Sequence, residues 1–340
     1  MEKRSMEKNM MKAYMQNFTY CLALLLLTGC IQAADLGQTL KHQIQGSHYM
    51  MHGKYARGEE TFRQAIRENP ENAEANYYLG RFLLAENKET EALAYLQKAA
   101  TINSSNADYN FWLGVAYGEN NMPEDERKSY QKVLRLNRNH LQALIYLGHN
   151  QLKNREYEAA LISYTRSLNL WPESPSALYN RALILKILDR TPEEKRAWLE
   201  YLSLYPSGSL ARTATIHLNR LGEFSYRNHT LGARTVTLQE IAFEPFTSKL
   251  DSASYPSLKL VGAIASNMGQ GTLQIVVYQK NNNNLARQRA VSIQDYLQKT
   301  FPDLKDRIGI SWFAVPENFS VAGKQMSADE SVRFFLTDWM

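Results

Sequence analysis

From residue 39 to residue 208 the small and apolar positions of the chain recur every 34 residues. Gly46, Gly80, Gly114 and Gly148 stand at that interval and Ala182 continues the series. Twelve residues beyond each lie Gly58, Ala92, Glu126, Ala160 and Glu194, small in three units and acidic in two. Sixteen beyond lie Phe62, Leu96, Tyr130, Tyr164 and Trp198, and nineteen beyond lie Ala65, Ala99, Val133, Ser167 and Tyr201. A period of this length, unbroken by insertions, marks units that each bury an apolar face on their neighbours. Pro70, Pro172 and Pro206 fall at three unit ends, where a proline ring stops a helix. The pattern predicts five helix-turn-helix units over 39–72, 73–106, 107–140, 141–174 and 175–208, with a capping helix over 209–221.

After Gly222 the periodicity changes. Residues 223–235 are polar and read as a linker between the helical array and a second domain at 236–340. There, Val236–Phe243 alternates in part, as a half-buried strand does. Leu258, Val261 and Ile264 have helical spacing within 257–268, Thr272–Tyr278 is β-rich, and residues 285–301 are helical with Pro302 just beyond. Further strands are expected at 308–315 and 332–336. This order predicts an α+β sandwich, one sheet with two helices on one face.

The 34-residue pattern resembles the tetratricopeptide repeat. Leu79-Gly80, Leu113-Gly114 and Leu147-Gly148 match its Leu-Gly pair, and the later small, aromatic and proline positions follow. The resemblance implies an all-α solenoid, closely packed A and B helices, and a concave groove lined by A helices. It places Tyr77, Arg81, Phe111, Ile145, His149 and Tyr179 on the inner face, with Val115 and Leu183, and puts Tyr78, Trp112 and Tyr146 in the core. Such a groove accepts a partner segment; the alternative is that the aromatic residues pack between helices. The Lys/Asn pattern that captures a C-terminal carboxylate is absent.

In the second domain, Asn282-x-x-Leu285-Ala286-x-x-Arg289-Ala290-x-x-Ile293-x-x-Tyr296-Leu297 resembles the signature of OmpA-like peptidoglycan-binding domains, and Phe243-x-x-Phe246 and Leu250 match their first strand region. The resemblance implies that Asn282 and Arg289 belong to a peptidoglycan site in which Arg289 grips a diaminopimelate carboxylate. Two changes of charge, and a loop onward to Arg289 several residues shorter than the family's, count against it. Lys280 ends the stretch where the family carries the aspartate that holds the ammonium, and Asp329-Glu330-Ser331 replaces a basic pair. Replacing an attracting carboxylate by a repelling ammonium, at about 4 kcal/mol per close pair at intermediate dielectric, is enough to impair that binding.

At the N-terminus, Lys3, Arg4, Lys8 and Lys12 precede a short apolar run from Tyr20 to Leu27. This is the layout of a secretory signal. Leu27-Thr28-Gly29-Cys30 resembles the bacterial lipobox, which implies removal of residues 1–29, acylation of Cys30, and a lipidated tail at 30–38. Cys21 would be discarded, leaving no disulfide. Ile31 after the cysteine implies outer-membrane sorting in a Gram-negative bacterium.

The apolar fraction of 44% and charged fraction of 21% are ordinary for a folded chain, and the net charge of +5 is diffuse, so no nucleic-acid partner is expected. No cofactor motif, P-loop or metalloprotease motif is present. His48 and His52 share a helical spacing but lack a third ligand nearby, so no metal is expected. The sequence thus reads as a non-enzymatic lipoprotein facing the periplasm: a tetratricopeptide array that binds a protein of an envelope complex (a pilus, secretion or porin assembly), followed by an OmpA-like domain. The alternative is a peptidoglycan tether that also recruits a partner.

Overall fold

The structure is a computed structural model that describes residues 37–321 and 323–337. The segment expected to be a signal, Cys30 and most of the tail expected at 30–38 lie outside the described residues. The chain divides between Asn150 and Gln151 into two compact units.

The first unit is helical. Helix α1 runs over residues 37–51, followed by α2 (Tyr55–Glu68), α3 (Ala73–Ala85), α4 (Glu89–Ile102), α5 (Ala107–Glu119) and α6 (Pro123–Leu136). Helix α7 (Leu141–Lys153) carries the division between the units. Helices α3, α5 and α7 start 34 residues apart, as do α2, α4 and α6. The conserved spacing of glycines has a steric cause. A Cβ on Gly80 would lie 2.5 Å from Leu96 Cγ, and one on Gly114 would lie 2.5 Å from the Tyr130 ring. Each glycine therefore lets an A helix touch the large B-helix residue sixteen positions on. Asn72 and Asn106 cap α3 and α5, accepting from Ala75 N and Tyr109 N.

The turn between A and B helices has its own period, unseen in the hydrophobic pattern. Gly53, Asn87 and Asn121 adopt positive φ in this unit, and Arg155 and Asp189 do so at the same interval in the next. One left-handed residue lets the following amide bond back to the helix end, as Lys88 N does to Leu83 O and Met122 N to Tyr117 O, both at 2.9 Å. Asparagine and aspartate tolerate this conformation; arginine does so at a cost.

The second unit holds α8 (Tyr157–Leu170), α9 (Pro175–Ile187), α10 (Thr191–Leu204) and α11 (Gly208–Arg220), the expected cap. Tyr164, Trp198 and Leu202 are fully enclosed among them. The acid in place of a small residue does not loosen this packing: Glu194 is buried and accepts from Trp198 Nε1 at 3.1 Å.

The region expected to be a linker instead begins a hairpin, β1 (Tyr226–Leu231) and β2 (Arg234–Gln239), paired from Tyr226–Gln239 to Leu231–Arg234. It is fastened to α11. Asn219 Nδ2 donates to Glu223 O at 2.7 Å and Tyr226 O at 2.8 Å, Asn228 Nδ2 donates to Arg212 O at 3.0 Å, and Tyr226 packs into the core of the helices. The last four helices and the β-containing region are thus one packed unit, with no free linker at 223–235.

Beyond the hairpin come α12 (Tyr255–Asn267), β3 (Thr272–Gln279), α13 (Asn283–Thr300), β4 (Ile308–Phe313), β5 (Glu317–Val321), β6 (Lys324–Ala328) and β7 (Glu330–Thr337). The sheet order is β4-β3-β7, with β3 parallel to β4 and antiparallel to β7. Leu273, Ile275 and Val277 alternate inward on β3 and meet Leu258, Val261 and Ile264 of α12 and Ala290, Ile293 and Leu297 of α13. This gives the expected core between sheet and helices. The ribbon β5–β6 was not expected; its strands are short and mostly polar, so no face stands out.

Candidate functional site

Three of the six residues assigned to the groove are buried. Tyr77 is 7% exposed, Phe111 5% and Ile145 9%. Phe111 packs against Tyr130, His140 and Tyr146 inside the helical stack. Of the residues expected in the core, Tyr78 is buried, but Trp112 is half-buried and Tyr146 is 40% exposed. In the third and fourth repeats the exposure expected at 111 and 145 thus falls on the next residue, 112 and 146, while Val115 and His149 stay half-buried as Arg81 does.

Arg81 and His149 are half-buried on α3 and α7. The Arg81 guanidinium lies 4.3 Å from the Trp112 ring centroid and 5.3 Å from that of Tyr77, and its Nη1 donates to Tyr77 Oη at 3.1 Å. Its Nε is buried without a hydrogen-bond partner. Beneath this, Tyr109 Oη donates to the buried carboxyl of Glu74, which burial pushes above its ordinary range. Nearby, His140 holds Asp108 below its usual range. The first unit therefore offers a cation stacked on an aromatic platform, a geometry that grips flat or acidic groups. In the second unit Tyr179 is half-buried against Trp198 and Tyr201. His48 and His52 stack with ring centroids 4.2 Å apart, and no group of three metal ligands occurs among the described residues.

The Asn282–Leu297 motif lands on a closed site. Arg289 is 4% exposed on α13, neither reaching for a ligand nor lying in solvent. Its Nη1 donates to Glu330 Oε2 at 2.7 Å and to Gln279 Oε1, its Nε donates to Thr247 O at 3.1 Å, and its guanidinium lies 4.6 Å from the Phe243 ring centroid. Gln279 Nε2 donates to the other Glu330 oxygen at 3.1 Å, closing a triangle. Burial opposes the Glu330 charge, but Arg289 and Gln279 outweigh it and hold the carboxyl below its ordinary range. The Glu330 carboxylate thus stands where a ligand carboxylate would pair with Arg289. The cleft beside it measures about 150 Å³, below the roughly 300 Å³ at which ligand pockets begin. Lys280 pairs with Asp329 at 3.1 Å. The two departures in the sequence are therefore coupled: the acids of 329–330 neutralise Lys280 and Arg289. Asn282 caps α13 by accepting from Leu285 N at 2.9 Å, a role sufficient to explain it.

Residues 45–107 and 107–140 each match the family described as Tetratricopeptide repeat. These helical pairs are tetratricopeptide repeats. Among solved structures, PilF of Pseudomonas aeruginosa aligns with a TM-score of 0.50 at 18% identity, covering 54% of this chain and 84% of that one. YrrB, titled a TPR protein with an unusual peptide-binding site, aligns at 0.44 and 22% over 48% and 82%, and MamA at 0.45 and 17% over 49% and 91%. At these identities the likeness shows the fold alone. No curated protein matches the chain in sequence. The tetratricopeptide pairing accounts for the glycine contacts and the 34-residue turns; the family match covers the first three units, and α8–α10 continue the same spacing.

Proposed function

We propose that the protein is a non-enzymatic scaffold of the bacterial envelope, lipid-anchored through Cys30 at the outer membrane and facing the periplasm. Its tetratricopeptide array holds a segment of a partner protein belonging to a pilus, secretion or porin assembly. The observation that carries this reading is the Arg81–Trp112 platform. A half-buried guanidinium over an indole, with an unpaired Nε, favours a partner segment that brings acidic or carbonyl oxygens to the A-helix face.

The β-containing region is a divergent OmpA-like module in this reading, on the order of its elements and the Asn282–Leu297 motif. With Glu330 already on Arg289, it serves as a packed extension of the array rather than a peptidoglycan tether. No helix among the described residues is long and apolar enough to cross a membrane. In this reading the acyl anchor carries the attachment, and stable anchoring takes two chains or more. Labelled palmitate tests this in cells. Incorporation into the wild-type chain and its loss, with release from the membrane fraction, in Cys30→Ala support the anchor. An unlabelled chain found in the cytosol overturns it.

A further inference from the structure

A cavity of about 390 Å³ opens in the second unit between α11, β1, β5 and β7. Arg220, Arg227 and Arg333 stand in its wall, together with Ile216 and Phe319, and none of its lining residues is acidic. The carboxylate paired with Arg227 and Arg333 is Glu317, itself buried, and its oxygens are already engaged. Arg227 donates to both, at 2.5 and 3.2 Å, and Ser331 Oγ donates at 2.6 Å. Arg333 Nε stays 3.6 Å away, beyond hydrogen-bond reach, and its guanidinium makes no hydrogen bond among the described residues. Arg220, exposed on the last turn of α11, has no ion pair among them. Arg227 and Arg333 thus share one carboxylate, and Arg220 beside them has none among the described residues.

This arrangement is costly without a further anion. The Arg333 side chain is 22% exposed and that of Arg227 11%, and a charge removed from water needs a partner. Burial first, and then the Arg227 charge, push the Arg333 guanidinium below its ordinary value. The surroundings are rigid. Phe319 lies under Arg227 with its ring centroid 4.0 Å from the guanidinium carbon, and the amides of Asn219 and Asn228 are held by main-chain carbonyls. Arginine forks match planar and tetrahedral oxyanions through paired hydrogen bonds, and the volume falls in the range of small-molecule sites.

We propose that this cavity binds an oxyanion, a phosphate or a carboxylate, with Arg333 and Arg220 as its principal donors and any apolar stem of the ligand lying over Phe319 and Ile216. The site is separate from the Arg289 cleft, whose lining shares none of these residues. The test is calorimetric titration of the full chain with inorganic phosphate and, separately, with succinate, at fixed ionic strength set by chloride. At least one of the two binds with a Kd near or below about 1 mM, the affinity of a few good polar contacts. Arg333→Gln weakens that binding by at least about tenfold. Arg220→Gln, at an exposed helix position where folding is not at issue, weakens it by a smaller factor. Binding of phosphate alone or succinate alone names the oxyanion. Absence of binding for both, or binding by Arg220→Gln and Arg333→Gln equal to that of the wild type, overturns the proposal.

Discussion

Gly114 sits inside α5, where alanine is ordinarily the better helix former by about 1 kcal/mol. Here packing opposes propensity. The added methyl would lie 2.5 Å from a Tyr130 ring that is 1% exposed and has nowhere to go. Overpacking costs about 1–3 kcal/mol, so Gly114→Ala lowers the urea midpoint; a raised midpoint would show that the ring is freer than its burial indicates. The charged residues of the second unit make a different prediction. His229 is buried, and burial, with Arg333 and Arg227 adding, pushes its pKa down to about 3. Below its ordinary 6.5 the unfolded chain takes up a proton that the folded chain refuses, so stability falls from pH 6.5 towards 3, by at most about 1.4 kcal/mol per pH unit. Burial opposes the Glu317 charge, but Arg227 and Ser331 hold its carboxyl below the usual range. Its contribution is therefore also present at neutral pH and lost in acid. Thermal unfolding followed from pH 7 to pH 4 should show the decline, and His229→Gln should flatten it. A slope unchanged by that substitution would contradict the account.

At the scale of elements, the interplay of β3, α13 and β7 decides what the second domain can bind. Glu330→Ala removes the carboxylate from Arg289. Because the Glu330 side chain is 57% exposed, water replaces part of the loss, and the expected destabilisation is about 1 kcal/mol rather than the several typical of a fully buried pair. The same substitution uncovers Arg289, so sedimentation with purified peptidoglycan should retain more of this variant than of the wild type. Wild-type retention that disappears in Arg289→Ala would instead restore the tether. The helices, β3 and the repeat register were legible in the sequence because burial on one face writes its period into the residue types. The closed Arg289 site was legible only in halves. Lys280 and Glu330 each appeared as a departure, but antiparallel pairing of Gln279 with Glu330 is what makes them compensate. Of the hairpin, only β1 escaped notice, because His229 and Asn228 give it a polar composition although His229 is buried; β2 overlaps the strand expected over Val236–Phe243. The left-handed turns escaped because Asn87, Asn121, Arg155 and Asp189 share a backbone conformation but not one side-chain type.

At the scale of the molecule, the division of the chain does not follow the change in sequence pattern. It falls within α7, while helices α8–α10, the cap and the sheet share one unit. Within the second unit the Asn219 and Tyr226 contacts bind the cap to the β-containing region. The central claim is that the A-helix face of the array grips a protein partner. Photo-crosslinking in living cells tests it most directly, with the reactive side chain placed in turn at Arg81 and His149 on that face and at exposed Arg135 on α6. The account predicts one common adduct from positions 81 and 149 and none from 135. No adduct at any position, or the same adducts from all three, would contradict it.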